Sequence, residues 1–169
     1  MNVLVTGGAG FIPSHIVDRL LKDGHKVTVL DLWESDESKV HNGNSNFEFI
    51  KGDVLNDDLI AQCMEGKDRV IHMAAVLGTA ETITTFDVEK VCTVNIVGTT
   101  KILKAAKKAG VGRVLIPTTP DVPWINPYKI TKAAVEKLCQ LFSIEYDLDV
   151  VALKLGNICL LYTSDAADE

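Results

Sequence analysis

Short apolar runs alternate along the chain with longer segments in which apolar residues recur every three or four positions. The runs at Asn2–Thr6, Lys26–Asp31, Phe47–Lys51, Arg69–His72, Arg113–Pro117 and Val150–Leu155 are rich in Val, Ile and Leu. Short runs of this composition predict strands covered on both faces. The segments Phe11–Asp23, Asp57–Cys63, Thr85–Ala109 and Tyr128–Tyr146 carry the helical period. Repeated strand–helix–strand units with right-handed crossovers give a doubly wound parallel sheet with helices on both faces. The order expected for such a sheet is 3-2-1-4-5-6, with a ligand crevice between strands 1 and 4. No linker, low-complexity stretch or fixed-period repeat interrupts the pattern.

Composition narrows the functional classes. A chain of 169 residues, 47% hydrophobic and 24% charged, suits one globular domain with a sizeable core. A net charge of −6 argues against a nucleic-acid surface or an anionic membrane as partner. The lysines Lys101, Lys104, Lys107 and Lys108 read as a solvated helix face. No apolar run approaches the length of a membrane span, and the chain enters its first strand with no basic leader. Cys63, Cys92, Cys139 and Cys159 are scattered, without metal-ligand spacing, as expected of reduced thiols in a cytoplasmic protein.

The chemistry begins at Thr6-Gly7-Gly8-Ala9-Gly10-Phe11-Ile12-Pro13, between the first strand and the first helix. Glycines there let the backbone approach a pyrophosphate, and the helix start offers free N–H groups and partial positive charge. Asp31, ending the second strand, can accept both ribose hydroxyls of an adenosine and would repel a 2′-phosphate. Leu32 and Trp33 supply no arginine to offset that repulsion, so NAD is favoured over NADP. Tyr128-Lys129-Ile130-Thr131-Lys132 opens a helix after the fifth strand. Positions four apart share a helix face, so the Lys132 ammonium is expected beside the Tyr128 phenol, lowering its pKa for proton transfer.

These motifs resemble the extended short-chain dehydrogenase/reductase family, especially its sugar-nucleotide epimerases and dehydratases. The resemblance implies a Rossmann fold, NAD as cofactor and a UDP-glucose 4-epimerase-like reaction on a nucleotide sugar through transient hydride transfer. It runs from Gly7 to Ile158, with Gly7, Gly10, Phe11 and Ile12 at the pyrophosphate. Gly52-Asp53-Val54 resembles the adenine-contacting turn, although a capping role competes for Asp53. His72-Met73-Ala74-Ala75 is similar to the segment on which the cofactor lies, Met73, Ala74 and Ala75 being the contacts and His72 a packed strand-end residue. Asn95 matches an asparagine that supports the cofactor-side loops, and Asn157 matches a substrate-facing one. Within Ile116–Val122, Thr119 falls on the hydroxyl that completes a catalytic set with Tyr128 and Lys132, Thr118 being the fallback.

Three departures qualify the resemblance. Pro13 stands where a third glycine is usual, which a first helical turn tolerates at the expense of bulk near the sheet. Only nine positions separate Thr119 from Tyr128, fewer than epimerases usually carry. Pro120 follows Thr119 where dehydratases carry an acid, which lowers that reading relative to an epimerase. A reductase of the same family stays open; a non-catalytic NAD-sensing module would not need the tyrosine–lysine pair. Relatives commonly pair through the two long helices, so a homodimer of the full-length protein is expected, with Leu138, Leu141 and Phe142 available to it. Residues 159–169 resemble what a transposase-based sequencing adapter encodes in frame. The expectation is therefore an NAD-binding domain over 1–158, a foreign tail beyond it, and a missing substrate lobe, leaving this fragment inactive alone.

Overall fold

The computed structural model describes residues 1–78, 81–120 and 125–156. Six parallel strands, β1 (Asn2–Thr6), β2 (Lys26–Asp31), β3 (Phe47–Lys51), β4 (Arg69–His72), β5 (Arg113–Thr118) and β6 (Val150–Lys154), form one sheet in the order 3-2-1-4-5-6. Strand β5 extends one residue past its expected end and β6 stops one short. The helices are α1 (Phe11–Lys22), α2 (Asp36–Lys39), α3 (Asp57–Met64), α4 (Glu81–Thr84), α5 (Val88–Cys92), α6 (Thr99–Ala109) and α7 (Pro127–Glu145). A π-helical segment, Thr93–Gly98, joins α5 to α6.

The inner strands are mostly apolar because successive side chains enter different cores. The edge strands β3 and β6, expected to be covered on both faces, keep Glu48, Lys51, Leu153 and Lys154 exposed because no further strand flanks them. Val3, Val5, Val27 and Val29 meet Val17 of α1 on one face of the sheet. Leu4, Leu30, Val70, Val114 and Ile116 meet Ile102, Leu103, Ala106, Val135, Cys139 and Phe142 on the other. The period-two alternation thus explains why α1 lies opposite α6 and α7.

The expected helix Thr85–Ala109 is broken. Asp87 accepts a hydrogen bond from the Glu89 N–H at 3.0 Å and starts α5 at Val88. The π segment then inserts a wider turn before α6, a feature often found where a helix carries functional side chains. The short helix α2, capped by Ser35, has too few residues to show a period and was not anticipated. No helix among the described residues is long and apolar enough to cross a membrane.

Candidate functional site

The carboxyl ends of β1, β2, β4 and β5 converge where the strand order reverses. Leaving β1, the chain turns at Gly7 with φ of +69°, its N–H donating to the Leu30 carbonyl at 2.8 Å. A Cβ on Gly7 would stand 2.6 Å from the Ala74 amide nitrogen, so the loop presses directly on the segment after β4. Gly10 packs under the Pro13 ring, where a Cβ would meet Cγ at 3.2 Å. The unusual proline therefore fills space that the glycine leaves, and it is buried. The first intrahelical bond is from Ser14 N–H to the Gly10 carbonyl, leaving the N–H groups of Phe11 and Ile12 without intrahelical acceptors. Both of those side chains are partly exposed.

Asp31 is half-buried against this loop. It accepts from Ala9 N–H at 3.0 Å and from Leu32 N–H at 2.7 Å. Burial raises its pKa, and backbone hydrogen bonds from Ala9, Leu32 and Trp33 oppose the rise. A loop without side-chain bulk, free N–H donors at a helix start and a carboxylate acceptor one strand away form a set suited to a dinucleotide. Asp53 accepts from Leu55 N–H at 2.9 Å and closes the turn after β3. The helix-capping role goes to Asn56, which accepts from Leu59 N–H. The Val54 side chain belongs to the core.

Beyond β4, Met73 donates its N–H to the Thr6 carbonyl, while Ala74 and Ala75 are half-buried. Asn95, 1% exposed on the π segment, accepts from Val76 N–H at 2.7 Å and donates to the Val76 carbonyl at 2.9 Å. It also donates to Thr131 Oγ1 at 3.0 Å, tying the Met73–Val76 segment to α7. A buried amide with its partners satisfied holds one geometry.

Helix α7 starts at Pro127 behind an Asn126 cap that accepts from Lys129 N–H at 2.9 Å. Tyr128 is partly buried in its first turn. Lys132 is buried, donates to the Pro117 carbonyl at 2.9 Å, and lies over the Tyr128 ring with Nζ 5.7 Å from the centroid. The expected depression of the phenol pKa is not found: burial pushes Tyr128 up. The Lys132 ammonium is engaged by the Pro117 carbonyl, and desolvation of the phenolate sets the direction of the shift. Lys132 itself is lowered to about 8 by burial, against a smaller opposing effect of Cys139.

The Thr118 hydroxyl is buried and donates to the Leu153 carbonyl at 3.3 Å, so it serves the β5–β6 pair. Thr119, the first residue beyond β5, is half-exposed at the edge. Residues 121–124 of the short connection, and Asn157 with the tail at 159–169, lie outside the described residues. Sequence reasoning missed the hydroxyls of Thr6, Thr99 and Thr131, which hold the site together. Their only signal was position, beside Gly7, four after Asn95 and one before Lys132.

The buried Lys132 supports a prediction of opposite signs. Its folded pKa of about 8 lies below the unfolded value of 10.5. The folded chain therefore bears a penalty below about pH 8 that is relieved as pH rises toward 10.5. Lys132→Met removes that penalty, up to about 3 kcal/mol, and sacrifices one hydrogen bond worth about 1 kcal/mol. Thermal denaturation at neutral pH should show a melting temperature higher by about 2–8 °C. A lower one would mean that the lysine stabilises the fold.

These features define a nucleotide-binding α/β fold with a tyrosine–lysine helix at its switch point. The sequence profile of the NAD dependent epimerase/dehydratase family matches residues 3–167, and the chain belongs to that family, with NAD as its cofactor. It is 36% identical to a UDP-glucose 4-epimerase from Mycolicibacterium smegmatis, over 94% of this chain and 56% of the relative. Among solved structures, UDP-glucose 4-epimerase from Brucella ovis in complex with NAD superposes with a TM-score of 0.80 at 28% identity, covering 92% of this chain and 52% of that one. A double mutant of the dTDP-glucose 4,6-dehydratase DesIV from Streptomyces venezuelae, with NAD and DAU bound, gives 0.81 at 28% identity, over 90% and 54%. The chain thus spans about half the length of these relatives.

Proposed function

We propose that the whole protein is a nucleotide-sugar epimerase of the UDP-glucose 4-epimerase type, with this chain supplying its cofactor half. The reading is supported by Tyr128 and Lys132 opening α7 beside the same strand ends that carry the glycine loop and Asp31. The backbone at Gly7–Gly10 and the N–H groups of Phe11 and Ile12 would hold the pyrophosphate, Asp31 the adenosine ribose, and Asp53 with the Val54 main chain the adenine. Met73, Ala74 and Ala75 would floor the site, held in place by Asn95. NAD held there would supply a reversible hydride acceptor for the sugar. Tyr128 removes and restores the sugar hydroxyl proton, Thr119 orients that hydroxyl, and Lys132 supplies the positive charge that favours the deprotonated phenol. Asn157 would face the substrate.

The epimerase reading is favoured over a dehydratase by Pro120, which can neither donate nor accept a proton. Its test is the absorbance of reduced nicotinamide after mixing the full-length enzyme with a panel of UDP- and dTDP-sugars. Transient reduction without net redox product supports an epimerase; a stable reduced cofactor or an eliminated product supports a sister activity.

Cofactor choice gives a second test. Asp31→Ala removes the ribose acceptor and the partner of Ala9 N–H, so NAD affinity should fall about tenfold or more and the preference over NADP should narrow. Calorimetric titration measures both. If the unmutated chain binds NADP more tightly, the role given to Asp31 is wrong.

We also propose that the full-length protein pairs through α6 and α7, with a correction to the residues expected there. Phe142 is buried in the core and Leu138 packs against it, so the fold already uses both. Exposed Ile130, Leu141 and Ile144 recur on one face of α7 and are the better candidates.

A further inference from the structure

His72 is 1% exposed at the end of β4, paired across the sheet with Thr6. Its Nδ1 lies 2.6 Å from Thr6 Oγ1 and its Nε2 lies 3.0 Å from Thr99 Oγ1. The hydrogens can be assigned by elimination. Thr99 Oγ1 donates its single hydrogen to the Asn95 carbonyl at 2.6 Å, so toward His72 it can only accept. Nε2 therefore carries a proton, and in the neutral ring Nδ1 accepts from the Thr6 hydroxyl. Thr6 Oγ1 in turn faces the Ala74 N–H at 3.4 Å.

The chain of bonds continues beyond Thr99. Asn95 donates through Nδ2 to Thr131 Oγ1, and Thr131 donates to the Tyr128 carbonyl at 2.8 Å. A run of hydrogen bonds, buried as far as Thr131, thus joins the residue before Gly7 to the residue that carries the phenol. All donors point the same way, so protonating Nδ1 would reverse one link and leave the Thr6 hydroxyl without its acceptor. The surroundings oppose that proton: burial, with a further push from the nearby Lys132 charge, lowers His72 to about 3.

We propose that His72, locked as the neutral Nε2–H tautomer, is a positioning residue that fixes the glycine loop relative to the helix bearing Tyr128 and Lys132. Its bond to Thr99 joins the two halves of the site alongside the Val76–Asn95 pair, and cofactor affinity depends on that joint. The proposal rests on the assignment of both halves to one NAD site.

Stability should follow the same proton. Below about pH 6.5 the unfolded chain binds a proton that the folded chain refuses until about pH 3. Stability therefore falls on acidification through that window, and denaturant unfolding across it should show a shallower pH slope in His72→Asn than in the parent.

The deciding experiment uses the 169-residue chain and two readouts. Nitrogen-15 NMR of the parent is expected to show Nε2 protonated and Nδ1 bare from about pH 5 to about pH 8. NAD titrations, run well below each variant's melting temperature, compare Thr99→Val with Thr99→Ser. Thr99→Val is expected to weaken NAD binding about tenfold or more, and Thr99→Ser, which keeps the hydroxyl, by less than about threefold. A merely structural joint would lower the melting temperature of Thr99→Val and leave the affinity of its folded fraction unchanged, which would overturn the proposal. So would an imidazolium or an Nδ1–H tautomer in the parent at neutral pH, a result that stands even where Thr99→Val does not fold. Failure of the parent to bind NAD at all would instead reject the underlying reading of the site, and the proposal with it.

Discussion

Tyr128→Phe in the full-length enzyme is expected to lower turnover roughly 10²–10⁴-fold, the range for loss of a positioned proton-transfer group. The substitution removes one oxygen from a ring that is already placed by other means. Asn126 caps the helix, Thr131 holds the Tyr128 carbonyl, and Lys132 lies over the ring. None of these contacts needs the hydroxyl, so the fold and the affinity for NAD should change little. Burial raises the phenol's pKa in the free chain, which makes the Lys132 charge and the bound cofactor necessary for activity near neutral pH. Steady-state rates alongside an NAD titration separate the effects. Undiminished turnover with normal binding would remove Tyr128 from the chemistry.

Gly7→Ala is expected to destabilise the chain by about 3 kcal/mol or more and to abolish measurable NAD binding. Two effects add. The φ of +69° costs an L-residue roughly 1 kcal/mol. The new methyl group would also stand 2.6 Å from the Ala74 amide nitrogen and 2.7 Å from its Cα, and backbone cannot rotate away. Gly24 supplies the control, because its φ is +78° and nothing lies within 4 Å of its absent Cβ. Gly24→Ala should therefore cost only about 1 kcal/mol, from conformation alone. Denaturant unfolding of the two variants checks the difference. Equal losses would mean that the Gly7 loop does not press on the β4 segment as described.

The inner strands were legible because they are buried on both faces and bounded by turn residues, and the edge strands β3 and β6, which keep exposed positions, followed from the strand–helix alternation. Val3, Leu4 and Val5 announce themselves as a strand, and the alternation of the two cores only divides them between faces. The glycine loop and the Tyr128–Lys132 spacing were legible for a related reason: each depends on residue type at fixed local separation. What the sequence concealed depends on long-range contact. Thr118 and Thr119 are the same residue type side by side, and only the pairing of β5 with β6 turns the first toward the Leu153 carbonyl. Phe142 and Leu138 look available for a partner until α7 is packed on the sheet, where the core takes both. The phenol pKa depends on long-range contact in the same way, since helical spacing gives the distance to Lys132 and says nothing of desolvation or of the Pro117 carbonyl. His72 read as packing, which it is, but its two hydroxyl partners lie 66 and 27 positions away in the chain.

The central claim is that the glycine loop and the Tyr128–Lys132 helix serve one cofactor. Titrating the labelled chain with NAD, while following the amide resonances of Gly7, Gly8 and Gly10 and the ring resonances of Tyr128 by NMR, tests it directly. The account predicts that both sets shift along one saturable curve with a single dissociation constant. Shifts confined to the glycines, with the Tyr128 ring unmoved at saturation, would contradict it.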